Sequence, residues 1–138
     1  MSASVSDILT TLKNITPALN SIGTSATSIY NIQSKQQIAF AAIGTGISTL
    51  YTALSSSASH IDCINFCNTT ASAIDVSMFI VPSGGTYGTG NALFYNFTMP
   101  AKTTVLWQGS VVMPANSTLQ AIAAGAGVTV NVTGGNTL

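Results

Sequence analysis

The chain contains no arginine and no glutamate. Three lysines (Lys13, Lys35, Lys102) and three aspartates (Asp7, Asp62, Asp75) are all its charged residues, 4% of the chain against roughly 25% in ordinary soluble proteins. The formal net charge is zero, so the basic footprint of a nucleic-acid binder is missing. A polybasic membrane-surface signal is missing for the same reason. Solubility falls to Ser, Thr, Asn and Gln, and a net charge near zero favours association. At 138 residues and 46% apolar content, one globular domain plus an appendage is expected.

The same scarcity bears on chemistry. Asp62 and Asp75 are the only carboxylate side chains after residue 58, so a paired general acid and base would have to be these two. The single histidine, His60, has no G-x-S-x-G nucleophile elbow to serve. His60, Cys63 and Cys67 carry metal-ligating atoms. On a regular strand, however, His60 and Cys63 face opposite ways, and no second ligand cluster follows. The glycine-rich run Gly84-Gly85-Thr86-Tyr87-Gly88-Thr89-Gly90 lacks the lysine and the following helix of a phosphate cradle, and reads as a hairpin loop. The expectation is a protein that is not an enzyme and binds no cofactor or metal.

Cys63 and Cys67 lie four residues apart. On one strand they share a face about 13 Å apart, beyond the ~7 Å reach of a disulfide, so two reduced thiols are expected. Five N-x-S/T sequons (Asn14, Asn68, Asn96, Asn116, Asn131) follow from a composition rich in these residues. The N-terminus lacks the basic and apolar regions of a signal peptide. The apolar run from Ile38 to Leu54 is short of the ~20 residues a bilayer span needs and contains Ser, Thr and Gly, so no membrane insertion is expected.

What the sequence does have is two periods. From Ile8, alternating steps of four and three residues give Leu12, Ile15, Leu19, Ile22, Ala26, Ile29, Gln33, Gln36, Phe40, Ile43, Ile47, Leu50 and Leu54. Of these heptad core positions only Gln33 and Gln36 are polar, and a pattern sustained this far predicts a coiled coil. Mostly Leu at a and mostly Ile at d disfavours a dimer and favours trimers or tetramers. Pro17 interrupts the pattern, unless it opens a second helix capped by Thr16. Gly23, Gly44 and Gly46 each weaken a helix by about 1 kcal/mol. An intramolecular helical hairpin breaking near Gly23–Ser25 is the competing reading. The residues from Ile8 to Ile43 in this series are the candidate oligomerisation positions.

From His60 the period drops to two. IDCINFC, AIDVSMFIV, ALFYNFTM, TTVLWQG, TLQAIAAG and VTVNVT are strand-like runs separated by turn residues. With Ser48–Leu54 as a further candidate, six to eight strands form an antiparallel sandwich or barrel. The fold class is therefore α+β: a helical oligomerisation or anchor segment over 1–46 and a β-sandwich domain over 47–138.

The stretches CNTTASAIDVSMFIVPSGG, NALFYNFTMPAKTTVLWQGSVVMPANSTLQA and AAGAGVTVNVTG resemble a group of small virion-associated proteins of tailed bacteriophages. With Thr49-Leu50-Tyr51-Thr52 as a similar opening strand, the resemblance covers about residues 48–134. It departs from the group's pattern in lacking a proline after that strand, and this blurs the domain boundary. The resemblance implies a β-sandwich unit in a phage particle and carries over no functional residue.

Together the two readings lead to a virion protein, most simply a homotrimeric fibre or spike with an N-terminal anchor and an exposed β domain. Its partners would be its own copies, other virion proteins of capsid, neck or tail, and, for host adsorption, a host surface glycan. A capsid-decorating cement protein is the alternative. A carbohydrate-binding module is the third reading, with Trp107, Tyr87 and Tyr95 as candidate ligand contacts.

Overall fold

The computed structural model describes residues 4–33 and 35–136, and for residues 24–33 the backbone alone. One helix, α1 (Val5–Gln33), is followed by eight strands. These are β1 (Gln36–Ile43), β2 (Ser48–Thr52), β3 (Ser59–Asn68), β4 (Ile74–Val81), β5 (Ala92–Met99), β6 (Thr104–Met113), β7 (Thr118–Ala123) and β8 (Val128–Asn136). The result is an α+β chain with a β-sandwich, as expected.

The helix starts on a reciprocal cap. The Ser4 hydroxyl accepts from the Asp7 backbone N–H at 3.1 Å, while the Asp7 carboxylate accepts from the Ser4 N–H at 3.2 Å and the Ser4 hydroxyl at 2.7 Å. It runs without interruption through Pro17, which leaves the Lys13 carbonyl without its helical donor. Thr16 does not cap a second helix; its hydroxyl donates back to the Leu12 carbonyl at 2.9 Å. No hairpin forms near Gly23, because the helix continues past it to Gln33.

The change from helix to strand falls between Gln33 and Gln36, so the helical reading of 36–46 is corrected. Gln36, Phe40 and Ile43 lie on β1, and Ile43 is 1% exposed in the sandwich core. The physical reason is burial. Ala39 and Ile43 point inward between the sheets, and β1 pairs with β8 along its length from Gln36 opposite Gly134 to Ile43 opposite Val128. Ile47, Leu50 and Leu54 also leave the heptad series, since β2 occupies Ser48–Thr52.

The two four-stranded sheets have the orders β1-β8-β3-β6 and β2-β7-β4-β5. The first strand pairs with the eighth, the second with the seventh, the third with the sixth and the fourth with the fifth, all antiparallel. That nested pairing is an eight-stranded jelly roll. Its core takes alternate residues from facing strands: Ile61, Ile64 and Phe66 from β3, Val128, Val130 and Val132 from β8, Leu119 and Ala121 from β7, and Val76 and Met78 from β4. Met99 and Met113 are fully buried at the ends of β5 and β6.

An open sheet edge invites pairing with other chains, and proteins often guard it with charge. None of the four edge strands here carries a charged residue. Each is irregular instead. Ile38 is an extra residue on β1 and Leu50 on β2, and β5 and β6 both slip against their inner neighbours. Bulges twist the edge out of register and spoil a flat template, a guard that needs no charge.

At one end of the sandwich three polar side chains are tied together. Asn136 Oδ1 accepts from the Tyr51 hydroxyl at 2.9 Å and the fully buried Ser59 hydroxyl at 2.8 Å, linking β8 to both sheets. Close packing also fixes Gly134, where a Cβ would lie 1.9 Å from the His60 carbonyl oxygen.

Candidate functional site

The helix presents an apolar stripe that the described residues leave uncovered. Ile8 is 51% exposed, Leu12 55%, Ile15 44%, Leu19 60% and Ile22 64%, all at heptad core spacing. Val5, one heptad before Leu12, is 83% exposed. The side chains of Ala26, Ile29 and Gln33 lie outside the described residues. Helices that gain nothing from packing are marginal in water, and this one contains a proline, a glycine and many Ser and Thr residues. The stripe therefore needs a cover for the helix to persist.

A second uncovered surface is the outer face of the β1-β8-β3-β6 sheet. The register aligns Phe40 with Asn131, Asn131 with Asn65, and Asn65 with Leu106, so these four form one row across the sheet. Phe40 is 74% exposed and Leu106 57%. The next row is Ala42, Thr129, Cys67 and Thr104. Neither row contains a charge. Within the first, Asn131 Oδ1 is buried with no hydrogen-bond partner.

Three of the chain's few ionisable groups meet where the helix joins the sandwich. The Lys35 ammonium is 4.0 Å from the Asp62 carboxylate, and His60 Nε2 is 3.5 Å from the same oxygen. Lys35 is 70% exposed, so this pair adds little stability. Asp62 is the bulged residue of β3 against β8. The bulge changes one expectation. Ile61 and Ile64 both face the core, so their neighbours His60 and Cys63 share the outer face rather than opposing faces. Among the described residues there is still no group of three or more His, Cys, Asp or Glu able to hold a metal. Cys63 and Cys67 are free thiols, half-buried on that outer face.

The two carboxylates of the sandwich are on different sheets, Asp62 on β3 and Asp75 on β4. Asp75 lines a shallow hollow with Thr45, Ser77, Asn96 and Ile122. Its carboxylate accepts from the Thr98 hydroxyl at 2.5 Å, and Ser77 Oγ accepts from the Asn96 N–H at 2.9 Å. Asn96 has φ 47°, which the β5 bulge imposes. The hollow holds one carboxylate, whereas acid–base work by a carboxylate pair needs two.

The three aromatic candidates are dispersed. Trp107 sits opposite Ile64 on the core side of β6, edge-on to Phe94 at 6.0 Å, with its indole lying over Gly109. Tyr87 lies in the loop between β4 and β5, against Phe79 at 5.3 Å, and Tyr95 projects from edge strand β5, 57% exposed. Among the described residues no ring contact joins any two of them. The glycine-rich loop is followed by a single 3-10 turn (Thr89–Asn91) and closes on Asn91, whose side chain accepts from Gly88 N–H and donates to the Thr86 carbonyl.

Asn68 was not a candidate, yet it organises one end of the sandwich. It is 1% exposed, and its amide donates to the carbonyls of Ser72, Met99 and Pro100. Its Oδ1 accepts from the N–H and hydroxyl of Thr70. Thr69 adds a hydroxyl donation to the Gly127 carbonyl at 2.8 Å. The Asn-Thr-Thr turn thus clips three loops together, a structural role.

No protein-family model and no curated protein matches the chain. Among solved structures, a chain of the infectious bursal disease virus Gx strain is similar, with 15% identity and a TM-score of 0.43, covering 73% of this chain and 31% of that one. A chain of the Gt strain gives 15% identity and a TM-score of 0.39, covering 72% and 31%. The chain spans less than a third of the length of either. Among the described residues, no helix is long and apolar enough to cross a membrane.

Proposed function

We propose that the protein is a structural component of a tailed-phage virion, a homotrimer in which α1 forms a helical stalk or anchor and the jelly roll is displayed outward. The observation that carries this reading is the stripe Ile8, Leu12, Ile15, Leu19 and Ile22, left exposed along the helix by the described residues. Burying each of these side chains contributes on the order of 1 kcal/mol, and copies of the same stripe are the surfaces that match it in spacing. Leu at a with Ile at d favours three or four strands over two. The phage setting rests on the sequence resemblance of residues 48–134. The jelly roll is compatible with it, being a form that viral capsid and lectin domains use, although a fold alone assigns no function. The near absence of charge suits a surface that stays within one assembly.

Light scattering on the full chain tests the oligomer: the expected mass is three times the 14.0 kDa chain, and a monomer overturns the reading. A particle reconstruction tests the placement. Fibre-like density with the jelly roll distal supports the proposal. Jelly rolls lying between capsomers, with helices flat on the shell, would replace the fibre by a cement protein. Glycan binding by a monomer absent from particles would replace both by a carbohydrate-binding module.

A further inference from the structure

We infer that the outer face of β1, centred on Phe40, packs against a second copy of this chain, so that the jelly rolls of one oligomer touch each other and do not merely hang from the helices. This inference rests on the helical oligomer proposed above. It adds which strand of the sandwich faces the partner.

The chain path supplies the first argument. Helix α1 ends at Gln33 and β1 begins at Gln36, three residue steps that span at most about 10 Å. Packed helices lie ~8–10 Å apart, which puts each axis of a three-helix bundle roughly 5–6 Å from the common axis. With the helix Cα atoms ~2.3 Å from their own axis, the start of β1 is then within about 18 Å of the common axis in every copy. β1 is the strand joined most directly to the helix, whose residues also lie near its neighbour β8, and β1 is an edge strand of its sheet.

The surface itself supplies the second. Phe40 is 74% exposed on a strand whose neighbouring Ala39 is 7% exposed in the core, so its ring points away from its own sandwich. It is the most exposed aromatic side chain among the described residues. The rows around it (Ala42, Thr129 and Cys67; Asn131 and Asn65) carry no charge that would select a charged partner. An uncharged face sets no charge requirement on the copy it meets, and packing it buries no ion.

Area supplies the third. Four strands at ~4.8 Å spacing and about six residues along each give a face of roughly 400 Å², short of the ~800 Å² per partner of a self-sufficient interface. Such a face associates only when something else raises its local concentration. A shared helical bundle does so, reaching about the millimolar range over a short linker. The occupant that meets this requirement is the copy held by the same bundle.

Cysteine cross-linking of the full-length protein in a Cys63→Ser/Cys67→Ser background tests this, with dilute protein and a short bis-maleimide. Three single variants are compared: Phe40→Cys on β1, Ile15→Cys on the helix stripe, and Ser83→Cys on the exposed loop between β4 and β5. Dimer bands from Phe40→Cys and Ile15→Cys, with none from Ser83→Cys, are expected. Bands from Ile15→Cys alone overturn the β1 contact and leave the helical oligomer standing. Bands from Phe40→Cys alone overturn the helical stalk and with it the inference, since the face would then associate without the bundle. Bands from neither overturn both, and equal bands from all three mark random collision and overturn the contact.

Discussion

The side-chain amide of Asn68 donates to the carbonyl oxygen of Met99 at 3.2 Å, joining the end of β3 to the end of β5 across thirty-one residues of sequence. The same amide reaches Ser72 and Pro100, so one nitrogen serves three carbonyls of two turns. Buried carbonyls left without donors each cost about 1–3 kcal/mol. Asn68→Asp preserves the shape but replaces the donor by oxygen facing those carbonyls. It should destabilise the fold by about 3 kcal/mol, a fall of roughly 10 °C in Tm. Asn65→Ala, exposed on the same strand, should change stability by less than about 0.5 kcal/mol. Thermal unfolding of the two variants checks this, and equal stability for Asn68→Asp and wild type would refute the role.

Legibility in the sequence followed the range of the cause. The strands from His60 onward were visible because alternation is local: Ile74, Val76 and Met78 do point into the core, with Ile80 packed against it. β1 was not, since Gln36-Gln37-Ile38-Ala39-Phe40-Ala41-Ala42-Ile43 satisfies a heptad through Phe40 and Ile43. Its strand period is broken by the bulge at Ile38 and carried inward partly by small alanines. The only local sign was the Gly44-Thr45-Gly46 turn that closes it. The bulge at Asp62 likewise put Ile61 and Ile64 on one face, three residues apart, which no regular alternation predicts. Asn68 was invisible because Met99 and Pro100 are distant in the chain.

Trp107 is expected to act as packing. Its ring meets Phe94 edge-on and covers Gly109, whose bare backbone leaves the room it needs. Trp107→Ala should cost about 3 kcal/mol. Tyr95→Ala, at 57% exposure, should cost less than about 0.5 kcal/mol. Chemical denaturation measures both. A Trp107→Ala protein as stable as wild type would return Trp107 to the ligand candidates.

Acid should loosen the start of α1. The Ser4 hydroxyl, and then the Ser4 backbone N–H, hold the Asp7 carboxyl below its ordinary value. A lowered folded-state pKa means that the cap's contribution is full above the unfolded value and is lost as pH falls through the folded one. Helical amide protection at Ile8–Thr11 should therefore decline as the pH falls below the ordinary carboxylate value of 3.8, and Asp7→Asn should abolish that dependence. Hydrogen exchange by NMR reads it; protection unchanged across this range in the wild type would contradict the capping role.

Truncation separates the helix from the sandwich and tests where the boundary lies. A chain beginning at residue 35 keeps all eight strands, and its apolar stripe is gone. It should fold with near-native sheet content and a cooperative melt, and sediment as a monomer, because the small face around Phe40 falls short of a self-sufficient interface. A chain beginning at residue 47, the boundary suggested by periodicity, removes β1 entirely. The core then loses Ile43 and Ala39, and β8 becomes an unguarded edge without the bulged strand that covered it. Losing an Ile-sized core side chain alone costs ~2–5 kcal/mol, and a domain of this size holds about 5–15 kcal/mol in all. With the pairing to β8 lost as well, the shorter chain should be unfolded or aggregated at room temperature. Circular dichroism and sedimentation of the two truncations decide it. A folded, soluble chain from residue 47 would mean that β1 is dispensable, and with it the strand on which the contact between copies is built.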